Sequence, residues 1–172
     1  SRGTEGGERR RWTVGGVRSA GLLVYRRAPA VDAPVELLLG HMGGPLWAHR
    51  DEGAWSIPKG QYEQDETPEA AASREFTEEL GLPAPPGPWL PLGEARQRSG
   101  KVVTIWAVEG DLDPADIVPG TFVMRWPPRT GRPQEFPEID RVEWFTPEVA
   151  RLKLTAGQQV YVDRLLTALD LD

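Results

Sequence analysis

The sequence predicts a single-domain α/β or α+β sandwich, and three observations carry that expectation. Short apolar runs of strand length stand on both sides of one well-capped helix, and a helical segment closes the chain. With 172 residues and 39% hydrophobic content, the chain can bury one sizeable core. No repeat of solenoid type interrupts this order.

Residues 1–18, SRGTEGGERRRWTVGGVR, are rich in Gly and Arg without periodicity and read as a flexible tail, with the folded domain over 19–172. The first residue is Ser1 and not Met, as in a truncated or tagged chain. AGLLVYRR (20–27) and VELLLGH (35–41) are strand-like apolar runs separated by a loop with Pro29 and Pro34. The Gly-rich loop 42–55 is not a phosphate-binding P-loop, because no GK[ST] follows and no helix opens from it. WSIPKG (55–60) reads as a strand end entering a turn, since Pro58 cannot donate to a ladder and Gly60 permits a sharp bend. A helix then follows from Thr67 as N-cap, with Pro68 at the first position, Glu69 at the positive end and Gly81 as the stop. Its core stripe is Ala72, Phe76 and Leu80.

Residues 82–93 carry too many prolines for regular structure and read as a surface spacer. Residues 94–111 predict two strands around a turn at Ser99 and Gly100, with Val103, Ile105 and Ala107 sharing one face. TFVMRW (121–126) predicts a strand, PPRTGRP (127–133) a loop and DRVEWF (140–145) another strand. Thr146-Pro147-Glu148 repeats the earlier cap pattern, and Thr155-x-x-Gln158 has capping-box spacing before Val162, Leu165, Leu166 and Leu169.

Net charge is 20 − 26 = −6, which supplies no general attraction to nucleic acid or an anionic membrane. Neither a stable nucleic-acid partner nor a membrane partner is expected, so a polyanionic substrate must be met locally by a metal or a few cations. The absence of cysteine excludes disulfides, thiolate metal sites and a cysteine nucleophile. No apolar run approaches the ~18 residues of a membrane span, and the N-terminus lacks an apolar signal core. A soluble, cytoplasmic monomer or homodimer is the expectation.

Glu75, Glu78 and Glu79 break a local rule. They crowd the C-terminal end of the predicted helix, where the macrodipole is negative and cations are preferred by roughly 0.3–1 kcal/mol per exposed charge. At about 100° per residue all three project into one sector beside the core stripe. Arg74 and loose counterions could serve a solvated face. However, the carbonyls of Lys59 and Gly60 can face the same point, and Glu66 lies in the loop between. Hard oxygen donors without His or Cys suit Mg²⁺ or Mn²⁺.

From Gly60 the chain reads Gly, five residues, Glu66, seven residues, Arg74-Glu75-Phe76-x-Glu78-Glu79-x-Gly81-Leu82. These nine positions over 23 residues resemble the Nudix box without a departure. The resemblance implies a Nudix-type α/β/α sandwich with a mixed central sheet, and a metal-dependent hydrolase of a nucleoside diphosphate linked to another group. It also implies that Glu75 and Glu79 are principal metal ligands, Glu78 a further ligand, and the Gly60 carbonyl a backbone ligand. Arg74 then orients the glutamates and Glu66 supports them. The general base stays open among a box glutamate, Glu138 and Glu135, the last two lying in EFPEIDRVEW before a late strand, and Glu138 reads as an outer ligand or the base.

AGLLVYR, WSIPKG and GKVVTIWAVEG resemble, more weakly, the asymmetric diadenosine tetraphosphate hydrolases and bacterial relatives. In that reading Lys59 and Lys101 neutralise phosphates, and an aromatic ring stacks a base for ~1–3 kcal/mol. Trp47 and Trp126 are the candidates, whereas Trp55, Trp106 and Trp144 belong to predicted strands and read as core. His41 and His49 are too isolated to be assigned chemistry. The alternatives are a non-hydrolytic nucleotide sensor or, among enzymes, a housecleaning nucleoside triphosphatase, an ADP-ribose hydrolase or an inositol pyrophosphatase.

Overall fold

The computed structural model describes residues 17–28 and 33–171. Along them run β1 (Arg18–Ala28), β2 (Ala33–Met42), β3 (Trp55–Ser56), β4 (Lys59–Gln61), α1 (Pro68–Leu80), β5 (Leu90–Arg96), β6 (Val102–Glu109), β7 (Thr121–Trp126), β8 (Arg132–Pro137), β9 (Ile139–Phe145), α2 (Pro147–Lys153) and α3 (Val160–Ala168). A single 3-10 turn at Pro114–Asp116 separates β6 from β7. The tail expected over 1–18 falls mostly outside the described residues, but Arg18 already pairs with Val102 in the sheet.

Seven strands form a mixed sheet in the order β3-β2-β1-β6-β5, with β4 also on β1 and β9 also on β2, while β7 and β8 make a separate hairpin. β1 is parallel to β6 and antiparallel to β2 and β4. Alternate residues of its apolar run serve opposite faces. Leu22 and Val24 pack with Phe76 and Leu80 of α1, while Leu23 and Tyr25 pack with Val162, Leu165 and Leu166 of α3. Val103, Ile105 and Ala107 share the second face, as their alternation predicts. The result is the α/β/α sandwich, with α1 alone on one side.

Helix α1 follows its sequence signals. Thr67 Oγ1 accepts from Ala70 N–H at 3.2 Å, and Gly81 adopts φ 72° while its N–H returns to Thr77 O. Thr67→Ala is expected to cost about 1 kcal/mol of stability, read from the denaturant midpoint.

Five expectations need correction. The proline-rich spacer ends early, because β5 begins at Leu90. The loop 127–133 gives way at Arg132 to β8, whose prolines and charges conceal it and which a two-stranded exposed ribbon tolerates. Thr155 and Gln158 form no capping box: α3 starts at Val160 without a side-chain cap. The buried Gln158 side chain instead accepts from Ile57 N–H at 2.9 Å and donates to Ser56 Oγ at 3.1 Å, satisfying an amide the short β3 leaves unpaired. Thr146, despite its matching motif, makes no side-chain cap bond. Finally, Trp55 is core, but Trp106 and Trp144 are half-buried at its edge, the latter under the Arg26 guanidinium.

Candidate active site

The turn at Pro58 delivers β4 antiparallel to the start of β1, pairing Gly60 with Ala20 and Lys59 with Gly21. This lays Gly60 against the last turns of α1. A Cβ on Gly60 would stand 2.0 Å from the Glu75 carboxyl carbon, so a glycine is the only residue that lets that side chain approach. Beside it, Glu79 Oε1 accepts from Lys59 N–H at 3.3 Å.

Arg74 binds three carboxylates at once. It forms a two-pronged pair with Glu66, at 2.8 and 2.9 Å, and donates from Nη1 to Glu75 at 2.8 Å and Glu78 at 3.3 Å, while Nη2 also reaches Gln61 O. Those acids hold its pKa above the ordinary arginine value, Glu66 most of all.

One guanidinium does not balance the acids. Burial pushes the Glu79 pKa well up, and the charges of Glu75 and Glu138 push it further, against the pull of Lys59. Burial also raises Glu75, opposed by Arg74, and it raises Glu138 together with the charge of Glu78. Lys59 is lowered by burial and then by its neighbour Lys101, so the two lysines stand together at this edge.

Glu138 comes from the opposite side of the site, one residue beyond β8. Its N–H donates to Gly120 O at 2.9 Å and its carbonyl accepts from Gly43 N–H at 3.0 Å. Glu135 pairs with Val123 in the exposed hairpin, and its carboxylate accepts from Thr121 Oγ1 at 3.5 Å. The structure therefore brings Gly60, Arg74, Glu75, Glu78, Glu79, Glu138 and Lys59 together, with Lys101 behind Lys59. Among the described residues no three acid or imidazole groups stand ready to hold an ion as oriented. Glu75 and Glu78 face Arg74, and Glu79 faces an amide.

Next to Glu138, a cavity of about 310 Å³ is lined by Gly43, Gly44, Leu46, Trp47, Phe122 and Met124, among others. Trp47 belongs to it. Trp126 does not: it shares a strand face with Phe122 and Met124 but lies at the far end of the hairpin, opposite Arg132. Phe122 gave no sequence signal beyond its place in a strand. A cavity of about 390 Å³ between β5 and α3 holds none of these acids. His41 is fully buried, with Nε2 donating to Arg50 O at 2.7 Å and Nδ1 3.0 Å from Asp140, a role in packing.

A family model for the NUDIX domain matches residues 18–165. The chain belongs to the Nudix family. Among curated proteins it is 46% identical over 66 residues to one named "Putative 8-oxo-dGTP diphosphatase 3" from Mycobacterium tuberculosis, a match covering 38% of this chain and 28% of that protein. It is 47% identical over 47 residues to an RNA pyrophosphohydrolase of Marinomonas, covering 27% and 29%. The chain thus spans under a third of the length of these relatives. An Ap4A hydrolase structure from C. elegans aligns with a TM-score of 0.58 at 19% identity, over 90% of this chain and 98% of that one. The NUDIX domain of Shewanella oneidensis NrtR, complexed with ADP ribose, aligns with a TM-score of 0.58 at 14% identity, over 89% and 88%. At these identities the likeness shows the Nudix fold. Among the described residues, no helix is long and apolar enough to cross a membrane.

Proposed function

We propose that this Nudix chain hydrolyses a phosphoanhydride bond in a nucleoside diphosphate linked to another group, with a nucleoside or dinucleoside polyphosphate as substrate and Mg²⁺ or Mn²⁺ as cofactor. The observation that carries the reading is the crowding of Glu75, Glu79 and Glu138 around Gly60, with carboxylate charge in excess of the cations that face it. That donor set fits a hard divalent ion: all oxygen, partly buried, short of positive charge. Glu75, Glu78, Glu79 and the Gly60 carbonyl would hold it. When bound, such an ion neutralises phosphate oxygens and acidifies water.

The chain's own groups do the rest. Arg74 keeps Glu75 and Glu78 gathered at the site and is itself fixed by Glu66, so the two carboxylates need only turn from the guanidinium to act. Lys59 and Lys101 take up phosphate charge at the neighbouring edge. Glu138, whose pKa is raised by burial and by the charge of Glu78, faces the site from the other side, where it would serve as an outer ligand to the ion and accept a proton from the attacking water. Trp47 and Phe122 provide flat faces for a base in the 310 Å³ cavity. The cytoplasm is the compartment we propose, in keeping with the absence of cysteine.

Incubation with Mg²⁺ or Mn²⁺ and a panel of nucleotides, including diadenosine tetraphosphate, ADP-ribose and nucleoside triphosphates, is expected to release nucleoside monophosphate or phosphate. Running it in ¹⁸O-labelled water identifies the phosphorus attacked. Tight nucleotide binding without turnover under either metal would replace the enzyme by a sensor.

A further inference from the structure

The carbonyls at the end of α1 are satisfied from outside the helix. Leu80 O accepts from Val118 N–H at 2.8 Å and Glu78 O from Gly120 N–H at 3.0 Å, so the segment leading into β7 acts as a cap donated from elsewhere in the chain. Gly120 then uses its own carbonyl to accept from Glu138 N–H at 2.9 Å. One residue thus joins the backbone of Glu78, in the acidic helix, to the backbone of Glu138, across the site.

Space, and not backbone conformation, demands glycine here. Gly120 is outside the left-handed region, so any residue could adopt its φ. A Cβ, however, would stand 2.5 Å from Glu78 O and 3.7 Å from Glu138 Oε1, while real Cβ contacts are essentially never below 3.0 Å. Adding one therefore opens the junction by at least 3.0 − 2.5 = 0.5 Å. The obstacle is a helix carbonyl, which has no free torsion with which to turn aside.

We infer that Gly120 is a positioning residue, whose lack of a side chain seats the base of the β7–β8 hairpin on the end of α1 and so sets the Glu138 carboxylate against Glu78 and Glu79. The inference rests on the role proposed for Glu138. Misplacement by about 1 Å can cost on the order of 10²-fold in rate, so Gly120→Ala is expected to lose at least about 10-fold.

A double-mutant cycle separates positioning from general damage. Wild type, Gly120→Ala, Glu138→Gln and the double variant are compared in two readouts: Mn²⁺ affinity, from the free-ion EPR signal, and Mn²⁺-supported cleavage of diadenosine tetraphosphate. If Gly120 acts through Glu138, Gly120→Ala weakens both readouts in the wild-type background and changes neither by more than about 2-fold once Glu138 is gone. Equal losses in both backgrounds, or no loss in either, overturn the inference. Gly43→Ala, whose Cβ would stand 1.9 Å from Pro137 O, shifts Glu138 from the other side and must show the same dependence. It keeps the question decidable should one variant fail to fold. Should diadenosine tetraphosphate not be cleaved, the Mn²⁺ cycle alone decides, whereas the proposed activity falls only if the whole nucleotide panel is inert.

Discussion

Glu79→Gln is expected to lower turnover by roughly 10²–10³-fold, the scale found when a group aimed at transition-state charge is removed. At the same time it should leave the metal-free protein as stable as wild type or more so. The two effects have one source. Glu79 is buried beside Glu75 and Glu138, and its pKa is held well above 4.5, so its charged form burdens the folded state. Gln keeps the oxygen that accepts from Lys59 N–H and removes the charge. The sign follows from linkage: a carboxyl with a raised folded pKa binds its proton more tightly when native, so it stabilises at low pH and that stability is lost as pH rises through the folded value. In EDTA, wild-type thermal stability should therefore decline as pH climbs above 4.5, and the variant's should decline less. Added Mg²⁺ should raise the wild-type melting temperature by mass action and raise the variant's much less. Full activity in the variant would remove Glu79 from the proposed mechanism.

Phe76→Ala should produce the largest loss of stability, about 3–5 kcal/mol. The ring is fully buried between Leu22, Val24 and Leu38 of the sheet and Leu80 of its own helix, on the face that α1 covers alone. Against a total of about 5–15 kcal/mol this is a large fraction, equivalent to roughly 6–20 °C in melting temperature for a chain of this size. Activity measured well below the transition should fall too, because α1 carries Glu75, Glu78 and Glu79 and is held to the sheet chiefly by this stripe. A melting point within 2 °C of wild type, about what 0.5–1 kcal/mol would give, would show that the stripe does not anchor the helix.

The parts legible in the sequence are those whose determinants are close together in the chain. Thr67, Pro68 and Gly81 mark the ends of α1, the Phe76 stripe marks its inner face, and the spacing of Glu75, Glu78 and Glu79 marks its odd chemistry. Long-range consequences were less legible. Gln158 looks like a helix cap until the amide of Ile57 is found beside it, about a hundred residues earlier. β8 escapes notice because an exposed two-stranded ribbon demands no apolar alternation. Gly120 and Gly43 are ordinary loop glycines in sequence, and their importance comes from carbonyls contributed by other segments. The choice between Trp47 and Trp126 as a base-stacking residue likewise depends on hairpin register, which puts Phe122 and not Trp126 beside the cavity.

The parallel pairing of β1 with β6 also has a bearing on how the protein is made. Arg18 meets Val102, so this central contact closes a loop of 102 − 18 = 84 residues, and the loop contains β4 and all of α1. Contacts of such separation form slowly, since chain entropy is lost before pairing repays it. Glu138 lies farther along still. On the ribosome, the acidic helix therefore emerges well before either the strand that completes its platform or the carboxylate that faces it. A nascent chain halted before β6 exposes the apolar stripe of α1 with no finished sheet to cover it. The synthesis of β6, more than that of the acidic motif itself, is the step at which this chain becomes able to shelter that helix.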